Sequence, residues 1–252
     1  MPGPGPTPEP SASAGGSSVS SLPALVGLAH GSRHADGTRS IEQLMQVVAA
    51  TGEIDARPAF LDLAEPDLLT VAGRLVEAGH RQAVVVPLLF TVAFHATVDV
   101  PEAVREAAER TGLELVVAEI LGTGADVQQL VEVSMAVAGI PEHSDVLLYA
   151  VGSSNAAANE AVHDLAARLG RHRTGRVQAA FGTTEPRAAE VLPELTEPVA
   201  LVPLFLSPGL LLAPLARIAR ERGWTLAPPL GDLAAPLVLR RYASARHTAG
   251  LR

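Results

Sequence analysis

The sequence contains no cysteine among its 252 residues, and only 3% of them are aromatic. Without thiols the chain can form no disulfide, no thiolate nucleophile and no cysteine-ligated zinc or iron–sulfur site. Any metal chemistry must therefore use His, Asp or Glu. The scarcity of aromatic rings also argues against a stacking surface for single-stranded nucleic acid.

Basic charge is scarce as well, since 19 Lys and Arg stand against 27 Asp and Glu, giving a formal net charge of −8. Nucleic acid and membranes are not expected as partners, because anionic surfaces bind basic proteins. The sequence has no apolar run long enough to cross a bilayer. Residues 1–22 are rich in Pro, Gly and Ser and lack the pattern of a secretory signal. We therefore expect a disordered tail there and a cytoplasmic location.

Hydrophobic residues make up 48% of the chain and occur in short runs that alternate with helical patterns. Such alternation predicts βαβ units and a parallel sheet. Strands are predicted at 24–29, 56–61, 83–90, 113–118, 146–150, 177–181, 199–206 and 224–227. Helices are predicted at 38–50, 66–78, 101–110, 126–138, 156–169, 186–195 and 210–222.

The second half of the chain repeats the first in degenerate form. AHGS at 29–32 corresponds to AVGS at 150–153, and VPLLFT at 86–91 corresponds to VPLFLS at 202–207. Several such matches occur in the same order, which argues against chance similarity. We therefore expect an α/β fold of two similar lobes, each a parallel sheet flanked by helices. The predicted division is an N-terminal lobe with the site at 23–140, a degenerate C-terminal lobe at 141–240 and a tail at 241–252.

Two histidines follow predicted strands of the first half. His30 comes directly after strand 24–29, and His95 lies just past strand 83–90. Parallel sheets bind ligands at the carboxyl edge of their strands, so we expect both imidazoles in one cleft, where they could bind a divalent metal or transfer protons. The alternative is structural: His30 as a strand cap and His95 as a core residue. Because the second half has Val151 and Leu211 at the equivalent positions, only one chemical site is expected.

Carboxylates and arginines lie near these histidines in the sequence. Asp62 and Glu65, at the end of the second strand, could complete a metal site or accept protons. Glu65 could instead stabilise the N-terminus of the next helix. Arg33 and Arg39 could bind substrate carboxylates or lie at the surface, and Ser32 belongs to a tight turn that could face an anion. The other histidines are expected at the surface, at positions 34, 80, 143, 163, 172 and 247.

These segments resemble the class II tetrapyrrole chelatases, in particular the sirohydrochlorin cobalto-/ferrochelatase family of the CbiX and SirB type. The resemblance is carried by AHGSR at 29–33, FLDLAEP at 60–66, VVVPLLFTVAFHATVDVP at 84–101 and EILG at 119–122. It covers most of residues 24–138. The degenerate second half is similar to the long, two-lobed members of the family.

The resemblance implies a lyase that inserts a divalent metal into sirohydrochlorin. Fe²⁺ insertion to give siroheme is the first expectation, and Co²⁺ insertion for cobalamin synthesis is the alternative. The active-site histidines of the family, which act in catalysis and metal binding, correspond to His30 and His95, and its acidic residue to Glu65 or Asp62. The family often has glutamate at position 62 and a glycine-containing stretch in place of TVAF before the second histidine. The expected substrate-binding residues are Ser32, Arg33, Arg39 and Asp62.

Other interpretations of the sequence stay open at this point. A non-catalytic tetrapyrrole or metal carrier could use the same pocket. A metal-dependent hydrolase ranks last, because neither HxH nor HExxH occurs. The residues do not select among Fe²⁺, Co²⁺, Ni²⁺ and Zn²⁺. Sirohydrochlorin and the metal are expected as substrates, without a tightly bound cofactor, and two lobes in one chain predict a monomer.

Overall fold

The computed structural model describes residues 22–92 and 98–251. Within these residues the strands form two parallel sheets of four, with the order β2-β1-β3-β4 in the first and β6-β5-β7-β8 in the second. The strands are β1 (Ala24–Ala29), β2 (Ala56–Phe60), β3 (Gln82–Pro87), β4 (Glu114–Val117), β5 (Asp145–Ala150), β6 (Val177–Phe181), β7 (Val199–Pro203) and β8 (Thr225–Leu226). The equivalent strand orders confirm the predicted α/β fold of two similar lobes.

Helices connect these strands and cover both faces of each sheet. They are α1 (Ala35–Gly52), α2 (Leu68–Glu77), α3 (Val100–Thr111), α4 (Ala125–Val137), α5 (Ala156–Gly170), α6 (Ala188–Val191), α7 (Ala213–Arg222) and α8 (Ala235–Thr248). Short 3₁₀ turns lie at Leu192–Glu194, Leu210–Leu212 and Gly231–Ala234. Among the described residues, no helix has the length and apolar character needed to cross a bilayer.

The central strands β1, β3, β5 and β7 are largely apolar because both of their faces are buried, and the exceptions Gln82 and Asp145 stand at the first positions of β3 and β5. In β1, alternate side chains enter different clusters: Leu25 packs in a core shared by both lobes, whereas Val26 and Leu28 pack beneath α2 and α3. Strands β3 and β7 end at Pro87 and Pro203, earlier than predicted. Because proline has no N–H to continue the sheet, the residues that follow leave the sheet, and they line a cavity.

The last helix corrects the predicted domain division. Residues 241–248, predicted as a tail, continue helix α8, which packs on α1, β3 and β4 of the first lobe. Arg241 donates hydrogen bonds to the carbonyls of Ile120 and Leu121 at 2.8 and 2.6 Å, and it pairs with Asp126 at 2.7 Å. The C-terminal helix of one lobe is thus part of the packing of the other.

Replacing Arg241 with Met should destabilise the fold by about 2 kcal/mol at neutral pH, because it leaves a half-buried carboxylate unpaired. Burial acts to raise the pKa of Asp126, but the hydrogen bond and charge of Arg241 outweigh this effect and hold that pKa below its ordinary value. The pair therefore stabilises the fold above the ordinary pKa of 3.8 and ceases to do so as the pH falls through the lowered pKa. Urea unfolding at neutral and acidic pH measures both effects.

Arg220→Met is the control for this experiment, since Arg220 is an exposed arginine of α7. We expect Arg220→Met to leave the free energy of unfolding nearly unchanged. The difference in the free energy of unfolding between the Arg241 variant and the wild type should be smaller at acidic pH than at neutral pH. An equal difference at both pH values would contradict the assigned ion pair.

Candidate functional site

A cavity of about 470 Å³ lies between the lobes, where the carboxyl ends of β1 and β3 face those of β5, β6 and β7. The first lobe contributes one imidazole and an apolar wall, with His30, Ile41, Leu88, Leu89, Phe90 and Thr91. The second lobe contributes apolar and small polar side chains, among them Val151, Ser153, Asn159, Phe181, Thr183, Phe205 and Ser207. Such a lining fits an organic ligand that is largely apolar and carries polar groups at its edge.

His30 reaches this cavity because β1 ends at Ala29. The backbone carbonyl of His30 accepts a hydrogen bond from the N–H of Asp62 at 2.9 Å, which ties the β1–α1 loop to the β2–α2 loop. Gly31, with φ of +98°, permits this approach: a Cβ atom on it would lie 1.8 Å from the carbonyl oxygen of Asp62. The two loops therefore place His30 and Asp62 side by side.

A second cavity, the acidic groove, has a volume of about 310 Å³ and is also lined by His30. Its carboxylates come from the β2–α2 loop and from the start of α3, at Asp62, Asp99, Glu102 and Glu106. His30 thus lies at the junction of an apolar cavity and an acidic groove. Within residues 22–92 and 98–251, no three His, Asp or Glu side chains are grouped closely enough to hold a metal ion by themselves.

The two predicted site carboxylates have different positions. Asp62 lines the acidic groove next to His30, and its Oδ1 accepts a hydrogen bond from the N–H of Leu63 at 2.7 Å. Glu65 is exposed, lines neither cavity and accepts from the N–H of Asp67 at 3.2 Å. Of the two carboxylates, Asp62 is the one that lies beside His30, and the catalytic role of Glu65 stays a prediction. The other predicted catalytic residue, His95, lies outside the described residues.

The predicted substrate-binding residues of the β1–α1 segment line neither cavity. The Oγ of Ser32 accepts from the N–H of His34 at 3.1 Å. Arg39 forms an ion pair with Asp36 at 2.8 Å, and its side chain is 71% exposed. Arg33 is also exposed. Ser32 thus stabilises the conformation of the β1–α1 loop, whereas Arg33 and Arg39 lie at the surface.

The surface position predicted for His80 was wrong. His80 is only 6% exposed, and its Nε2 lies 3.1 Å from Asp55. Burial acts to raise the pKa of Asp55, but hydrogen bonds from Arg57 and His80 outweigh it and lower that pKa. This cluster lies at the amino end of β2, away from the cavity, and is structural.

The polar groups of the second lobe were not anticipated. Asn159 of α5 accepts from the N–H of Ser153 and donates to its carbonyl, both at 2.8 Å, which holds the β5–α5 loop against the cavity. Val151 follows β5 as His30 follows β1, and Gly152 has a φ of +88° like its counterpart Gly31. The signal that could have predicted these polar groups is the run Ser-Ser-Asn at 153–155, which directly follows Val151 and Gly152.

Comparisons with known proteins agree with this architecture. A family model described as CbiX matches twice, at residues 24–137 and 145–237. Sirohydrochlorin ferrochelatase from Priestia megaterium is 26% identical over 155 residues, which cover 60% of this chain; the match spans 58% of that relative's own length.

Two solved structures are similar over most of the chain. SirB from Bacillus subtilis with Fe³⁺ superposes with a TM-score of 0.77 at 24% identity, covering 91% of this chain and 98% of that one. The sirohydrochlorin chelatase SirB from Bacillus subtilis subspecies spizizenii in complex with cobalt has a TM-score of 0.74 at 25% identity, covering 91% and 97%. Since the CbiX model matches both halves and the two-lobed fold is shared, the chain belongs to the CbiX family.

Proposed function

We propose that this protein is a sirohydrochlorin chelatase, a lyase that inserts a divalent metal into the macrocycle. Fe²⁺ insertion, giving siroheme, is the first candidate, and Co²⁺ insertion is the second. The observation that carries the proposal is the position of His30, which lines both an apolar cavity and an acidic groove. A tetrapyrrole has two apolar faces, and a metal ion is attracted by carboxylates; the two substrates can therefore approach one imidazole from different sides.

Metal insertion requires the ion to lose water and the macrocycle to lose two pyrrole protons. A neutral imidazole can bind a borderline metal ion or accept a proton near neutral pH. We assign these tasks to His30 and, from the sequence, to His95. Asp62 beside His30 supplies a carboxylate that binds the incoming cation weakly or takes up a released proton. A small set of oxygen and nitrogen ligands without thiolate favours transfer of the metal over its retention.

The second lobe supplies the opposite wall of the cavity. Its hydroxyl and amide groups, on Ser153, Asn159 and Thr183, can accept or donate hydrogen bonds at the polar edge of a macrocycle. Because both walls belong to one chain, we infer a monomer that needs no second copy to complete its site. No resident cofactor enters this scheme, since the metal is a substrate.

The test is an anaerobic assay with purified protein, sirohydrochlorin and Fe²⁺ or Co²⁺, followed by the absorbance change of the macrocycle. We expect many metallated products per protein molecule, at a rate well above that of the mixture without protein. Binding of one macrocycle per chain without turnover would instead support a carrier. Comparing the rates with Fe²⁺, Co²⁺ and Ni²⁺ at equal free concentration identifies the preferred metal.

A further inference from the structure

The macrocycle proposed above as substrate carries carboxylates around its rim, and this chain offers few kinds of cation to bind them. It has no lysine, so its 19 basic residues are all arginines. Among the described residues that line the apolar cavity there is no arginine. A permanent positive charge that receives a carboxylate of the macrocycle therefore has to lie just outside this lining, at the edge of the cavity.

Arg187, in the loop between β6 and α6, lies at such an edge. Its guanidinium donates hydrogen bonds to the backbone carbonyls of Gly182 and, at 2.9 Å, Thr183. Thr183 lines the cavity, and its hydroxyl and backbone N–H donate to the carbonyl of Val151 at 2.8 and 2.9 Å. Val151 lines the cavity as well. The positive charge of Arg187 thus lies against the loop that forms this part of the wall.

The two loop carbonyls fix the guanidinium of Arg187 without neutralising it. Arginine has five N–H donors in one plane, and the loop uses one on Nη1 and one on Nη2. Arg187 is exposed, and within residues 22–92 and 98–251 it forms no ion pair; the carboxylate of Glu190 accepts from its backbone N–H instead, at 3.1 Å. An oriented guanidinium with unused donors suits a carboxylate, which it can bind through two parallel hydrogen bonds.

The first lobe has an acid at the position equivalent to Arg187. Phe60 pairs with Asp67 in an isolated parallel bridge, and Phe181 pairs with Arg187 in the same way. The Oδ1 of Asp67 caps α2 by accepting from the N–H of Thr70 at 2.8 Å. An arginine side chain has no acceptor and cannot form this cap. Helix capping therefore does not explain the arginine of the second lobe.

The charges around the site differ between the lobes in the same sense. Thr183 follows Phe181 at the same distance as Asp62 follows Phe60, so the second lobe has a neutral residue where the first has a carboxylate. Carboxylates of a macrocycle are repelled by the acidic groove beside His30, whereas a metal cation is attracted by it. The carboxylates of this groove are Asp62, Asp99, Glu102 and Glu106.

We propose that Arg187 is a substrate-binding residue that holds a rim carboxylate of the macrocycle at the second lobe. The inference rests on the proposed function and deepens it, because it names a substrate contact that sets the orientation of the macrocycle relative to His30. Binding at Arg187 keeps one anionic edge of the macrocycle away from the carboxylates that attract the metal. The two charged substrates are thus attracted by different lobes.

Charge reversal separates carboxylate binding from a purely structural role of Arg187. Neither Arg187→Gln nor Arg187→Glu can donate to both loop carbonyls, so a residue that only holds the loop should give the same loss in both variants. A residue that binds a carboxylate should give a larger loss in Arg187→Glu, because the added negative charge repels the macrocycle. Arg220→Gln and Arg220→Glu are the matched controls, since Arg220 is exposed on α7 and its variants change the net charge equally.

In Arg187→Gln we expect the KM for sirohydrochlorin to rise about threefold to tenfold at low salt, the range for a lost charge-assisted hydrogen bond at an exposed site. The kcat should stay within about twofold of the wild type, because this contact is the same before and during metal insertion. Arg187→Glu should raise KM further, and both differences should shrink in about 0.5 M salt. Melting temperatures should be unchanged, and the Arg220 variants should match the wild type.

Titration of sirohydrochlorin with protein in the absence of metal gives a readout that does not depend on turnover. The Kd from the absorbance change should follow the order wild type, Arg187→Gln, Arg187→Glu. Equal Kd for Arg187→Glu and the wild type would overturn the inference, and so would equal losses in both variants at every salt concentration. A wild type that binds the macrocycle without turnover refutes the proposed function, and the Kd values alone then decide the role of Arg187; a wild type that does not bind it contradicts both.

Discussion

His30→Ala should lower the rate of metal insertion by about 100-fold or more, the effect typical of removing a group that accepts protons or binds the reacting metal. His30 lines both cavities, so its loss removes the one imidazole that the described residues place between the two substrate approaches. The fold should persist, because the hydrogen bond from Asp62 goes to the backbone of His30. The second lobe already has a valine at the equivalent position, Val151.

The measurement is the steady-state rate with Fe²⁺ or Co²⁺, together with the circular dichroism spectrum and the melting temperature. Glu65→Gln is the control: Glu65 is exposed and lines neither cavity, so its rate should stay near that of the wild type. Wild-type turnover in folded His30→Ala would refute the assigned site. A large loss of rate in Glu65→Gln would instead support the catalytic role that the sequence predicts for Glu65.

The sequence predicted the position of His30 well because the rule behind it is local. An apolar run such as that of β1 is a buried strand, and the residue directly after a parallel strand lies at the ligand-binding edge. The internal repeat was equally predictable, since AHGS at the end of β1 corresponds to AVGS at the end of β5, and the two sheets have equivalent strand orders. These features depend on short segments and on the handedness of βαβ units.

Which of the two carboxylates, Asp62 or Glu65, lies beside His30 depends on the conformation of one loop. Leu63, between them, adopts a left-handed backbone with φ of +62°, which the sequence does not indicate for a leucine. Asp62 stays beside His30, whereas Glu65 folds back to Asp67. Arg39 lies outside both cavities for a similar reason: α1 begins at Ala35 rather than at residue 38, which brings Arg39 beside Asp36 on an exposed turn.

Local sequence patterns could not predict that α8 of the second lobe packs on the first lobe. Helix α8 has arginines at 240, 241 and 246 among its apolar residues, so its sequence does not mark it as a core element. Its stability comes from partners far away in the chain, as when Tyr242 donates to the carbonyl of Pro23 at 2.6 Å. The same holds for the cavity, whose walls are brought together only by tertiary structure.

Gly31→Ala should disrupt both the fold around the site and its activity. Position 31 has a φ of +98°, and the added Cβ would lie 1.8 Å from the carbonyl oxygen of Asp62, a backbone atom that cannot rotate away. The β1–α1 and β2–α2 loops must therefore separate. We expect a destabilisation of about 3 kcal/mol or more, and loss of most turnover in the protein that remains folded.

Gly112→Ala isolates the part of this effect that comes from backbone conformation. Gly112 also has a positive φ, +71°, but a Cβ atom there would meet nothing within 4 Å. It should cost only about 1 kcal/mol, the usual penalty for a non-glycine residue in the left-handed region, and leave turnover unchanged. Urea unfolding and the metal-insertion assay on both variants measure the contrast. Equal destabilisation of the two variants would mean that the close approach of Gly31 to Asp62 does not hold the loops together. A larger loss of unfolding free energy at position 31, accompanied by lost turnover, would show that the chemistry of His30 depends on the contact between these two loops.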